Sequence, residues 1–143
     1  MNAKDLLSAL SWRYATKKFD PDKKIDGETW EVLRKALVLS PSSLGLQMWH
    51  FLDIRDPEIR KQLREVSWNQ SSLTDASHLL VFTVRRELTP EDIEKYLTYL
   101  CEIRGISRES MEPYALKIGE LTKIKSPEEM AAWLERQVYI ALG

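Results

Sequence analysis

A chain of 143 residues with 43% hydrophobic and 30% charged positions has the size of one ordinary domain and is too apolar to be disordered. Its 21 basic and 22 acidic side chains leave a formal charge of −1, which gives no general attraction to nucleic acid or to an anionic membrane. One cysteine, Cys101, and two histidines exclude an internal disulfide and the usual zinc clusters, and no stretch nears the ~18 consecutive apolar residues of a membrane helix.

In chain order, the opening MNAKD lacks a basic segment followed by an apolar run, so no secretory leader is expected and the chain is placed in the reducing cytoplasm. Ala3, Leu6, Leu7 and Leu10 recur at helical spacing and predict a first helix. Trp30, Leu33 and Leu37 predict a second, with Asp26 ahead of it as a cap. Residues 49–55 (WHFLDIR) alternate and predict a strand. At Asp56-Pro57-Glu58, Thr89-Pro90-Glu91 and Ser126-Pro127-Glu128 a capping side chain precedes a proline and an acid, each suited to the positive end of a helix. Thr89 with Asp92 and Ser126 with Glu129 also have capping-box spacing.

The helices started there are striped by Ile59, Leu63 and Val66, by Ile93, Tyr96, Leu97, Leu100 and Cys101, and by Met130, Trp133, Leu134, Val138 and Ala141. The charge-rich residues 55–65 read as a solvated face. Residues 108–122 predict a weaker helix interrupted by Pro113 and Gly119. Residues 79–84 (LLVFTV) are almost continuously apolar, the mark of a strand covered on both faces. Such a strand needs neighbours on each side, yet the chain offers only one other, and two strands alone are marginal. The rest of the sheet is expected from a partner chain or from further sequence.

Four segments could carry chemistry. Arg13 and Lys17 are spaced to converge on one anion, or to form a solvated turn balanced by Asp20 and Asp22. In residues 40–47 (SPSSLGLQ) the small hydroxyls and glycine let backbone N–H groups approach a ligand, or simply end a helix. The amides in residues 67–70 (SWNQ) could read the edge of a heterocycle or cap the next turn. Gln137 lies inside the apolar stripe of the last helix, and a buried amide needs a partner, whether backbone or cofactor. His78, one helical turn from Asp75, reads as structural because no serine or cysteine nucleophile accompanies it. Cys101 reads as a small core residue, and Trp30, Trp49 and Trp133 as core packing. No Walker loop or dinucleotide glycine fingerprint occurs.

Taken together and in order, RYATKKFD (13–20), SPSSLGLQMWHF (40–51), WNQSSLTDASHLLVF (68–82) and WLERQVYIALG (133–143) resemble the nitroreductase family of flavin-dependent oxidoreductases. The resemblance implies an α+β, nitroreductase-like fold over residues 1–143 as a single domain, with a central sheet flanked by helices. It also implies an intertwined homodimer with FMN at each end of the subunit interface. NADH or NADPH would give a hydride to the flavin and leave, and a nitroaromatic, quinone or similar small-molecule acceptor would then take the electrons. In this ping-pong scheme the flavin carries the chemistry and no catalytic side chain is required. No metal, nucleic acid or membrane partner is implied.

Carried onto this chain, Arg13 and Lys17 would hold the FMN phosphate and ribityl region, with Tyr14 and Ala15 adding backbone contacts. Asn69 would hydrogen-bond the isoalloxazine edge, and Gln137 would reach the flavin from the last helix. Pro41, Ser42, Ser43 and Gly45 would contact the same flavin from the other subunit. Ala15 stands where family members commonly have serine, Gly45 where asparagine is frequent, and Met48 where a proline is common, which leaves that loop less fixed in φ. Members also continue past the equivalent of Gly143 with strands, a loop behind the flavin and basic residues on its phosphate. The expectation is therefore a chain that lacks the C-terminal strands. The alternative is a non-catalytic, dimerising chain with an incomplete flavin site.

Overall fold

Capping side chains set the helix starts in the computed structural model, which describes residues 2–143. The elements run α1 (Ala3–Trp12), α2 (Gly27–Val38), β1 (Trp49–Asp53), α3 (Pro57–Glu65), α4 (Ser72–Asp75), β2 (Leu80–Val84), α5 (Pro90–Arg104), α6 (Glu112–Lys123) and α7 (Pro127–Leu142), with 3-10 turns at Ser43–Gly45 and Glu109–Met111. Asp56 accepts from the N–H groups of Glu58 and Ile59. Thr89 with Asp92 and Ser126 with Glu129 close the reciprocal boxes that their spacing predicts. Asn2 and Asp5 form a third.

Helix-rich with a small sheet, the chain is α+β. It packs as two compact units: residues up to Asp26 with Asp53–Leu79, and Gly27–Leu52 with Leu80–Gly143. In the first unit, α1 buries none of its residues, and Leu6, Leu7 and Leu10 lie exposed. The side chain that α3 buries is Arg60, whereas Val66 is exposed. The expected apolar stripe and solvated charged face of this helix are therefore partly exchanged. The short α4 was not predicted, since four residues are too few to show a period.

In the second unit, Leu97 of α5, Ile118 of α6 and Leu134 of α7 are the most deeply buried side chains, at 0%, 0% and 1% exposure. Leu46, Leu88, Met111 and Met130 complete the cluster, and Cys101 belongs to it as expected. Residues 108–122 differ from their reading. Pro113 falls in the first turn of α6, where it costs no hydrogen bond, and the helix runs through Gly119. α5 stops at Gly105, whose φ of 62° gives the left-handed ending that favours glycine.

The two strands pair antiparallel. Arg85 N donates to Met48 O (3.0 Å) at one end and Ile54 N to Leu79 O (2.8 Å) at the other. Phe51 meets Phe82 edge to face with ring centres 4.9 Å apart. β2 packs against α7, yet each of its residues is only half-buried. Two strands are present among the described residues, so β2 has one hydrogen-bonded neighbour, where its unbroken apolar run had suggested two.

Candidate functional site

The first unit carries the cationic segment and the Asn69 turn. Arg13 ends α1 with extended backbone (φ −64°, ψ 142°), while its N–H still donates to Ala9 O. From there the chain runs to residue 20 without regular structure, and Arg13, Tyr14, Ala15 and Lys17 are all exposed. Asp20, read as a counter-charge to Arg13 and Lys17, instead accepts from Asp22 N (3.1 Å) and faces Lys23 at 3.8 Å. An open cleft of about 420 Å³ lies between this segment and residues 76–78, with Lys18, Lys23, Lys24 and His78 in its lining.

At the end of α3, Arg64 O accepts from both Ser67 N and Asn69 N at 3.1 Å. Trp68 takes φ 51° and Asn69 φ 54°. This is the helix ending normally made by a left-handed glycine, filled here by a tryptophan that is 91% exposed. The Arg64 side chain returns to the same turn. Its Nε donates to Asn69 Oδ1 (2.8 Å), and its terminal nitrogen donates to Thr74 Oγ1 (3.1 Å). Thr74 Oγ1 in turn lies 2.8 Å from Asp75 Oδ1 and 2.9 Å from Ser71 O.

One turn earlier, the buried Arg60 donates to the carbonyls of Leu73 (2.6 Å) and Ala76 (2.5 Å). It caps the negative end of α4 with a positive charge. His78 faces Asp53 (3.4 Å), not Asp75. Burial pushes the Asp53 carboxyl up, but Arg55 and His78 outweigh it and hold the group below its ordinary value.

The second unit carries the loop ahead of β1. Ser43 N donates to Gln137 Oε1 at 2.8 Å, and Gln137 Nε2 donates to Trp133 O at 3.3 Å. The buried amide in the apolar stripe thus has partners at both ends, one of them a predicted site residue. Leu44 O accepts from two phenols, Tyr96 of α5 (3.1 Å) and Tyr114 of α6 (2.6 Å), one for each carbonyl lone pair. Burial, followed by the neighbouring Tyr114 hydroxyl, pushes the Tyr96 phenol up to about 12.

Leu44, Gly45 and Gln47 all have positive φ. A Cβ on Gly45 would come within 2.8 Å of the Tyr96 hydroxyl. Gln47 Nε2 bonds the carbonyls of Val38 (3.0 Å) and Ser40 (2.9 Å). Pro41, Ser43 and Gly45 remain exposed, and Ser42 is half-buried.

Of the predicted residues, Arg13, Tyr14, Ala15, Lys17 and Asn69 therefore belong to the first unit, and Pro41, Ser42, Ser43, Gly45 and Gln137 to the second. Ser43 and Gln137 are hydrogen-bonded to one another. Sequence reasoning missed Arg60, Arg64 and Tyr114. The available signal was the i, i+4 spacing of the two arginines on one face of α3. Among the described residues, no cluster of three His, Cys, Asp or Glu side chains could hold a metal, and no helix is long and apolar enough to cross a membrane.

The model of the nitroreductase family matches residues 10–142. The Bacillus subtilis protein named "Putative NAD(P)H nitroreductase YfkO" is 36% identical over 148 residues, covering 96% of this chain and 66% of the relative. Among solved structures, a nitroreductase-like protein from Streptococcus mutans superimposes with a TM-score of 0.84 at 16% identity, over 99% of this chain and 68% of that one. A "putative nitroreductase in complex with FMN" from Exiguobacterium sibiricum gives 0.78 at 17% identity, over 99% and 68%. The chain spans about two thirds of the length of each.

Proposed function

The chain belongs to the nitroreductase family, and from that premise we propose that it works as an FMN-dependent oxidoreductase. In this reading it takes hydride from NADH or NADPH and passes electrons to a nitroaromatic, quinone or similar small molecule in a ping-pong cycle. The observation that carries the reading is the family match over residues 10–142, and the residues present fit the cofactor. Neither Arg13 nor Lys17 pairs with a carboxylate among the described residues. A guanidinium fork and an ammonium suit the FMN phosphate. Asn69 can donate to the carbonyl-bearing edge of the isoalloxazine.

Bound FMN would supply the hydride chemistry. The chain's own part is to bind, orient and shield, and no side chain is assigned a proton-transfer role. The backbone of Tyr14 and Ala15 adds contacts beside Arg13. Pro41, Ser42, Ser43 and Gly45 serve a flavin held by a second copy, so the proposal includes a homodimer of single nitroreductase-like domains in the cytoplasm. Gln137 enters through the Ser43 N–H that it holds.

Titration of FMN into the purified chain should quench flavin fluorescence and raise the melting temperature, and the loaded protein should oxidise NADH or NADPH when a quinone or nitroaromatic is added. A chain that neither binds FMN nor melts at a higher temperature with it sinks the proposal. Binding without turnover favours a second reading, that of a dimerising chain with an incomplete flavin site, for which the half-buried β2 speaks.

A further inference from the structure

We infer that Arg64 is a positioning residue that locks the orientation of the Asn69 carboxamide, so that its N–H donors are the groups turned to a ligand and the site favours an acceptor edge. The inference rests on the proposed contact between Asn69 and the flavin, and it specifies that contact: the amide N–H meets a carbonyl oxygen or unprotonated ring nitrogen.

The argument begins with donor chemistry. A guanidinium carries five N–H donors and no acceptor, so the Asn69 atom 2.8 Å from Arg64 Nε can only be the oxygen. Rotating the amide by half a turn would set donor against donor beside a positive charge. Arg64 is itself held on its far side, where its terminal nitrogen meets Thr74 Oγ1. Thr74 can accept that bond because its own proton goes to Asp75 Oδ1 or Ser71 O.

The backbone fixes the same relation a second time. Arg64 O receives the N–H groups of Ser67 and Asn69, so one residue grips the turn through both its carbonyl and its side chain. Trp68 and Asn69 adopt left-handed backbone in consequence, a conformation that only a well-determined surrounding sustains in bulky residues. A carbonyl oxygen that accepts from a cation also polarises its own amide, which strengthens the remaining N–H donors.

Two measurements test this. In the ligand-free chain, the Arg64 Nε–H NMR signal should exchange slowly with solvent and lose that protection in Asn69→Ala. Exchange as fast as that of a solvent-exposed arginine overturns the lock. In the second, FMN is titrated into Asn69→Asp, Arg64→Gln and the double variant. Asn69→Asp keeps a partner for Arg64, and hence the turn, but removes the donors. It should weaken FMN binding about tenfold and make the bound flavin harder to reduce. Arg64→Gln should weaken binding by a similar factor, and the double variant should be no worse than either alone, because the two residues act as one unit. Additive losses, or natural FMN affinity in Asn69→Asp, overturn the inference. A native chain that takes up no FMN sinks the flavin reading and the acceptor-edge assignment with it, while the exchange measurement decides the lock by itself.

Discussion

At Gly45 the absence of one carbon holds a loop in place. Its φ of 60° and the 2.8 Å approach of the Tyr96 hydroxyl to a built Cβ act in the same direction. Gly45→Ala should cost about 1–3 kcal/mol, from left-handed strain plus overpacking, measured by urea denaturation. Against a Tyr96→Phe background, which already lacks the hydroxyl and its bond to Leu44 O, the same substitution should cost less; an equal cost would show that strain alone sets it. Tyr96 also shows what was legible at this scale. Its place in an apolar stripe could be read, but the purpose of its hydroxyl could not, since the carbonyl it meets is 52 residues away. The same holds for Gln137, whose need for a partner was evident although Ser43 lies 94 residues from it. Arg60 and Arg64 were misread for a related reason. A charge in a periodic segment signals solvent unless the carbonyls or amides that will receive it are known.

Helix starts were the most legible elements, because a cap and its recipients lie within four residues. α3 was legible as a helix but not in which side chain it buries, and it gives the sharpest test. Arg60→Met keeps the apolar stem but leaves the Leu73 and Ala76 carbonyls without the donors they now have. It should destabilise the fold by about 1–3 kcal/mol. Amide exchange in residues 72–76 should rise more than in α5 or α7, since the bonds lost close α4. Uniform protection across all helices would show that Arg60 does not hold α4.

Over the whole molecule, each unit leaves apolar surface open: Leu6, Leu7, Leu10 and Trp12 on α1 in the first, Val32, Leu33 and Val38 on α2 in the second. Faces of this kind commonly mark association surfaces. Sedimentation should find a dimer at micromolar concentration, and Leu7→Glu with Leu10→Glu should shift it to monomer. FMN affinity should fall in parallel, because a second copy's loop is proposed to complete each site. A native chain that sediments as a monomer would remove the homodimer from the proposal.

The α+β class and the family were legible in four ordered segments of the sequence. The shortage of strands was legible too, from an apolar run with too few neighbours. What the sequence could not convey was the antiparallel register, in which Ile54 and Leu79 meet through one 2.8 Å hydrogen bond. That bond joins the two ends of everything between the strands, including the Arg64–Asn69 turn. Residues 55–78 therefore leave and return at adjacent strand ends. An insertion in this segment falls first on the packing of the first unit, where residues 76–78 meet residues 18–25.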